Sequence, residues 1–213
     1  MKYRMAISVA ALLITAAGTA FALDADGAEG IPSGSSQPQG VEFTPMTRSE
    51  RLRNYLTGTF GPGSLARAAA RAGFDQVLDR PTEWDSNGRG FADRLGNAYA
   101  KHIIRQTLQY GASTALHEDD RYLVSGEKGF WNRTRYALAS TFLARRDNGE
   151  RCFATARMSG AAGAAFISRA WQPGSTSGAG SAAGSFGLAI AGDSGANVVK
   201  EFWPDLKRHF RRN

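Results

Sequence analysis

The residues best suited to chemistry are those of the run His117-Glu118-Asp119-Asp120-Arg121-Tyr122. Three carboxylates beside an imidazole are the types that bind a hard cation or exchange protons as acid and base. A second cluster, Glu201-Phe202-Trp203-Pro204-Asp205, supplies partner carboxylates if the last helix returns to the first cluster. The candidate catalytic set is therefore His117, Asp119, Asp120 and Arg121 with Glu201 or Asp205. A structural alternative stands beside it, in which the carboxylates pair with Arg121, Arg133 or Arg135 and the histidine makes one satisfied hydrogen bond. An enzyme would gather these side chains around a pocket with a shifted titration, whereas a packing network would find them paired and closed over.

Two further patterns carry no such chemistry. Thr114-Ala115-Leu116-His117 and Gly192-Asp193-Ser194-Gly195 echo the His and Ser boxes of trypsin-like proteases, but those boxes need two β-barrels to meet. The Gly178-Ala-Gly180-Ser-Ala-Ala-Gly184 run follows no buried strand and precedes no suitably spaced acid, so it is a packing motif and not a dinucleotide loop. The single cysteine, Cys152, excludes an internal disulfide and a cysteine zinc site, leaving His and carboxylates as metal ligands. It reads as a small apolar filler at a helix start. No cofactor or metal is expected.

The elements that must position these residues read as helices. Thr47-Arg-Ser-Glu50 has capping-box spacing, followed by Leu52, Tyr55, Leu56 and Phe60 on one face until Gly61-Pro62-Gly63. Ser64 caps a helix with Leu65, Ala68, Ala69, Ala72 and Val77 as its stripe, stopped at Arg80-Pro81. From Phe91 to about His117 a stripe of Ile103, Thr107, Tyr110, Thr114 and His117 leaves Lys101, Arg105 and Gln109 outside it. Phe130 to Arg146 is expected as one helix, with Asp147-Asn148-Gly149 as its exit turn. Small residues fill a helix from Phe153 to Trp171. A loop from Gln172 to about Gly178 leads to a last helix ending near Phe202. The expected fold is all-α, a bundle of five or six helices with no β-sheet fold.

The last third is Gly/Ala-rich, with 23 uncharged residues from Ala170 to Gly192. Small residues recur every fourth position at Ala156, Gly160, Ala164 and Ser168, and again at Ala183, Gly187 and Ala191. Such ridges let backbones approach, predicting a close-packed carboxy-terminal hairpin with the arginines left to face outward. A soluble hairpin and one inserted in or lying on a membrane both fit.

Met-Lys-Tyr-Arg, an uncharged run from Met5 to Leu23 and the Ala20-Phe21-Ala22 exit read as a secretory signal over 1–22. Retention as an anchor is the alternative. Residues 23–46 hold four acids, no bases and a Gly/Ser/Pro-rich centre, so they read as a disordered linker ahead of a helical domain over 47–213. The full chain carries a net charge of +7, and 21 of its 26 basic residues are arginine, which suits forked contacts with carboxylate and phosphate. For an exported chain, anionic lipid or envelope polymer is a better partner than nucleic acid, which is not expected.

His117-x-Asp119-x-Arg121-Tyr122, the Arg146-Asp147-x-Gly149 turn, the small run Gly160–Gly163 and the closing Glu201-Phe202-x-Pro204-Asp205 resemble a group of uncharacterised exported bacterial helical proteins. In that group the first motif is commonly His-x-Asp-Pro-Arg-Tyr, with Asp120 here in place of the proline. The resemblance spans roughly Thr47 to Arg211. It implies an exported helical domain and assigns no activity or residue roles. The function expected is a noncatalytic cell-envelope protein, periplasmic or membrane-associated, bound to membrane or an envelope partner. The alternative is an envelope hydrolase using the His/Asp/Arg centre.

Overall fold

The computed structural model describes residues 43–211. The expected signal segment and most of the expected linker lie outside them. Among the described residues six α-helices carry the fold: α1 (Arg48–Phe60), α2 (Pro62–Val77), α3 (Gly88–Leu116), α4 (Phe130–Ala139), α5 (Thr155–Ile167) and α6 (Ala179–Phe210). A small antiparallel sheet joins β1 (Glu118–Asp119), β2 (Leu143–Arg146) and β3 (Arg151–Phe153) in that order. The chain is the all-α bundle that helical periodicity predicts. The Thr47 capping box forms as expected, with the Thr47 side chain accepting from the Glu50 amide and the Glu50 carboxylate accepting from the Thr47 amide. Phe43 and Met46 already lie against the domain: the Arg145 guanidinium sits 5.4 Å from the Phe43 ring, and Met46 is buried.

The sheet is where helical periodicity misleads. α4 stops at Ala139, and the chain expected to continue as helix to Arg146 runs as β2 into β3. Asn148-Gly149 makes the hairpin turn between them, with Gly149 at φ 86°, so the turn that reads as a helix exit is a strand connection. β1 lies antiparallel on β2 with Glu118 opposite Arg146 and Asp119 opposite Arg145. Cys152 therefore sits in β3 opposite Ala144, not at a helix start. α6 also runs past Phe202 and carries Pro204 in its interior.

The interior is built from alanine and paired polar groups. Ala68, Ala72, Ala137, Ala144, Ala156, Ala161, Ala164, Ala165 and Ala182 are buried, as are Arg51, Arg94, Arg157, Glu118, Asp119 and Glu201. The large apolar side chains lie outside. Leu52, Leu56 and Phe60 of α1 are exposed, as are Leu65 and Val77 of α2. The expected stripes are thus packing faces only in part: Ala68 and Ala72 of α2 are buried while their large neighbours are not. α1 meets α3 through Tyr55 of its expected stripe, whose ring stacks 4.7 Å from Tyr110 and whose hydroxyl is 2.9 Å from Thr107 Oγ1. On α3 the side expected to be free, Lys101, Arg105 and Gln109, faces the interior, while Thr114 and His117 are exposed.

Arginines likewise turn inward, against the outward placement expected of them. Arg94, 1 % exposed, donates to the carbonyls of Arg80, Pro81, Trp84 and Asp85 and to Gln76 Oε1 at 2.7–3.1 Å. One side chain thereby fixes the whole turn between α2 and α3, because a guanidinium has enough donors to satisfy several carbonyls at once. Close glycine packing occurs between α3 and α5. A Cβ at Gly160 would lie 2.8 Å from the Arg105 carbonyl oxygen and 2.9 Å from Gln109 Cβ. The glycines of α6 at Gly180, Gly184, Gly187, Gly192 and Gly195 face open space, so the close approach of helix to helix through glycine falls at α5 on α3 and not in the carboxy-terminal hairpin.

Candidate functional site

His117 ends α3 in the left-handed conformation, φ 54°, and turns the chain straight into β1. The segment from Glu118 to Ser125 then passes between the helices, and every polar side chain it brings inside finds a partner. Glu118 Oε2 accepts from the Ala156 amide at 2.8 Å, at the start of α5 where unpaired amides favour a carboxylate. Arg51 Nη1 donates to the Glu118 carbonyl, and its Nη2 lies 3.2 Å from Asp147 Oδ1. The other oxygen of Asp147 is 3.2 Å from His117 Nδ1, which leaves the imidazole at the surface with its side chain 72 % exposed.

Asp119 accepts the forked guanidinium of Arg121, Nε at 3.0 Å and Nη2 at 2.6 Å, and Arg121 also donates to the Thr44 carbonyl at 2.9 Å. The same contact with Asp119 raises the Arg121 pKa. Asp120 accepts from Gln109 Nε2, and its carbonyl takes Arg157 Nη2 at 2.5 Å. Arg157 spends its other terminal nitrogen on the carbonyls of Ser140 and Thr141, at 2.7 and 2.8 Å.

Glu201 is the centre of a separate network. Fully buried, it accepts from Tyr122 Oη at 2.6 Å, the Ser125 amide at 3.0 Å, Ser125 Oγ at 2.5 Å and Arg133 Nε at 2.9 Å. Burial pushes its pKa up, but the hydrogen bonds from Ser125, Tyr122 and Arg133 outweigh it and hold the carboxyl below its ordinary range. Tyr122 is shifted the opposite way, well above the usual phenol value, by burial and by its bond to the Glu201 carboxylate. Arg133 also reaches Asp205 Oδ2 at 2.5 Å, which lowers the Asp205 pKa, and stacks 4.4 Å over the Phe202 ring.

The structure thus separates the residues that the sequence groups together. Asp119 pairs with Arg121, and Glu201 joins Asp205 through Arg133. Among the described residues no hydrogen bond or ion pair joins His117 to Asp119, Asp120, Glu201 or Asp205, and no group of three or more His, Cys, Asp or Glu is placed to hold a metal ion. An acid or base needs an oxygen or nitrogen with a face toward substrate, whereas the four hydrogen bonds on Glu201 come from protein donors. Of the candidate pairing partners Arg121 and Arg133 serve, while Arg135 stays exposed.

Sequence reasoning does not reach Ser125, Arg51 or Arg157. Arg157 had a signal: it is the one charged residue between Thr155 and Ser168, a place where an unpaired charge would be costly. Arg51 and Ser125 lie in polar surroundings that give no such mark. The chain matches no protein-family model, no curated protein and no solved structure.

Proposed function

We propose that the protein is a noncatalytic envelope protein that docks on a membrane surface through an aromatic ridge shared by α4 and α6. The observation that carries this reading is the ridge itself. Phe130 and Trp131 open α4, and the Phe130 ring stacks 5.2 Å from Phe202 of α6. From there Leu206 and Phe210 continue outward along the last two turns of α6. Trp131 and Phe210 are each 74 % exposed, although water offers neither ring anything that burial would not improve.

Cations flank this apolar surface. Lys207 and Arg208 lie in the last turn of α6 and Arg211 follows it. Aromatic side chains with adjacent bases are the composition of an interfacial anchor on anionic lipid. No helix among the described residues is long and apolar enough to cross a membrane, so the reading is of attachment at the surface. Leu188, Val199, Leu206 and Phe210, all exposed, recur on one face of α6 while Asn197 and Glu201 occupy the buried face, which extends the same outward apolar orientation along the helix. The occupied acceptors of Glu201 support the noncatalytic part of the reading over a hydrolase centred on His117, Asp119, Asp120, Arg121, Glu201 and Asp205.

Fractionation of the expressed protein tests it. The full chain is expected in the membrane pellet and to leave it on a carbonate wash, and a Trp131→Ser, Phe210→Ser double variant is expected in the soluble fraction unwashed. Native protein found free without any wash would overturn the reading.

A further inference from the structure

The three strands carry a row of charges across the sheet. Asp119 of β1 lies opposite Arg145 of β2, and Arg145 lies opposite Arg151 of β3. The one carboxylate in that row is already spent. Asp119, its side chain 1 % exposed, accepts Arg121 Nε on both oxygens at 3.0 and 3.1 Å and Arg121 Nη2 at 2.6 Å. Among the described residues neither Arg145 nor Arg151 makes an ion pair. Arg145 donates to the Gly149 carbonyl at 3.4 Å and stands 5.4 Å from the Phe43 ring, and Arg151 stands 6.0 Å from the Tyr136 ring. A carbonyl and two ring faces orient a guanidinium without cancelling its charge. Like charges directly opposite on paired strands destabilise them, so the Arg145–Arg151 pair costs the hairpin stability.

Both arginines line a hollow of about 80 Å³ between the hairpin and the end of α4, with Arg121, Tyr136 and Ser140 also on its wall. No carboxylate is on that wall. The two acids of the hairpin turn are engaged elsewhere: Asp147 lies 3.2 Å from both Arg51 Nη2 and His117 Nδ1, and Glu150 accepts from Asn148 Nδ2 at 2.9 Å. Three arginines at the hollow against the single Asp119 that holds Arg121 leave two positive charges, those of Arg145 and Arg151, facing one space.

We infer that this hollow binds a dianionic phosphate, inorganic or the phosphomonoester end of a larger molecule, between the free edges of Arg145 and Arg151. Guanidinium forks match phosphate oxygens and stay charged at every physiological pH. A phosphomonoester carries about two negative charges near neutrality, which answers both arginines, whereas a carboxylate would leave one over. The volume is well below the roughly 300 Å³ at which sites for whole small molecules begin, so one oxyanion group fits and the rest of any larger ligand stays outside. Free phosphate and a lipid headgroup ending in phosphate present the same chemistry. The inference stands apart from attachment through the aromatic ridge, because inorganic phosphate requires no membrane.

The test uses the full chain, an Arg145→Gln, Arg151→Gln double variant, and Arg135→Gln on the exposed side of α4 as control. Sodium phosphate is titrated while thermal unfolding is followed, with sodium chloride at matched ionic strength. Phosphatidylcholine vesicles containing phosphatidic acid, a phosphomonoester, or phosphatidylglycerol, a diester, are compared by flotation at equal surface charge. A saturable rise in the unfolding midpoint, its half-point raised about tenfold or more in the double variant but not in the control, supports the site and free phosphate as ligand. No response to phosphate, with binding to phosphatidic acid weakened about tenfold or more in the double variant alone and binding to phosphatidylglycerol unchanged, supports the site and a lipid-borne phosphate. Loss of vesicle binding in a Trp131→Ser, Phe210→Ser variant bears on the ridge and leaves the phosphate titration unaltered. Should the double variant fail to fold, Arg151→Gln alone repeats both arms from the exposed strand. No response of the native chain in either arm, equal behaviour of double variant and control, equal weakening on both lipids, or reproduction of the effect by sodium chloride overturns the inference.

Discussion

The α3–α5 contact and the cavity between α2, α3 and α6 are made from the same few residue types, yet one is closed and the other open. In the first, Gly160 sits against the α3 backbone and Arg157 has every terminal nitrogen on a carbonyl or near one. In the second, the glycines of α6 touch nothing and several cations line one space. Glycine by itself therefore does not decide where helices approach. The difference lies in what faces the glycine: the α3 backbone at Gly160, open space along α6.

The largest effect is expected in the closed part of the molecule. Arg94→Met leaves the carbonyls of Arg80, Pro81, Trp84 and Asp85 without their donor. A loss of about 3–5 kcal/mol in urea denaturation is expected, the usual cost of removing one member of a buried charged network. A cost below about 1 kcal/mol would show that the turn between α2 and α3 holds without it.

Glu201→Gln is the next. It weakens hydrogen bonds to a charged acceptor, costing about 1.5–3 kcal/mol at neutral pH. Because the folded Glu201 pKa is lowered, its contribution is complete above the ordinary value of 4.5 and is lost as pH falls through the depressed one. The gap between native and variant stability should accordingly close in acid, and a gap unchanged from pH 7 to pH 2 would refute the assignment.

Two alanine substitutions then set the regions against each other. Gly160→Ala should cost about 1–3 kcal/mol, since the added carbon meets backbone that cannot yield. Gly187→Ala on α6 should stabilise by about 0.5–1 kcal/mol, because the site is open and glycine is a poor helix former. Equal effects from the pair would erase the distinction between closed and open contacts.

A further effect concerns Lys101. Its folded pKa of about 8 lies below the ordinary 10.5, so between these values the unfolded chain binds more protons and stability rises with pH. Lys101→Met should remove that rise, and midpoints that climb equally in both proteins from pH 8 to pH 10 would count against burial of that ammonium.

Helix positions and the Thr47 cap were legible in the sequence because capping and turn residues act locally, but Ser64, expected as a cap, lies inside α2, which starts at Pro62 after Gly61. The orientation of the helices was not. Periodicity in Leu52, Leu56 and Phe60 marks a face but does not say whether that face meets protein or the surroundings. The β2–β3 hairpin was obscured because Leu138, Phe142 and the arginines after them fit a helical pattern, although β2 finds its partner nearby in the chain, Leu143 opposite Phe153. The candidate carboxylates were found, and so were their partners Arg121 and Arg133, but Gln109 on Asp120 and Ser125 on Glu201 were not, because they come from other elements.

Arg133 touches both sides of the molecule. One edge of its guanidinium is bonded to the buried Glu201, and its plane lies on the Phe202 ring that belongs to the outer ridge. Any force that displaces that ring is felt one side chain deeper, at a carboxylate whose charge has no other cation within the network to answer it. Touch at the surface and ionisation at the centre are thereby joined without a hinge.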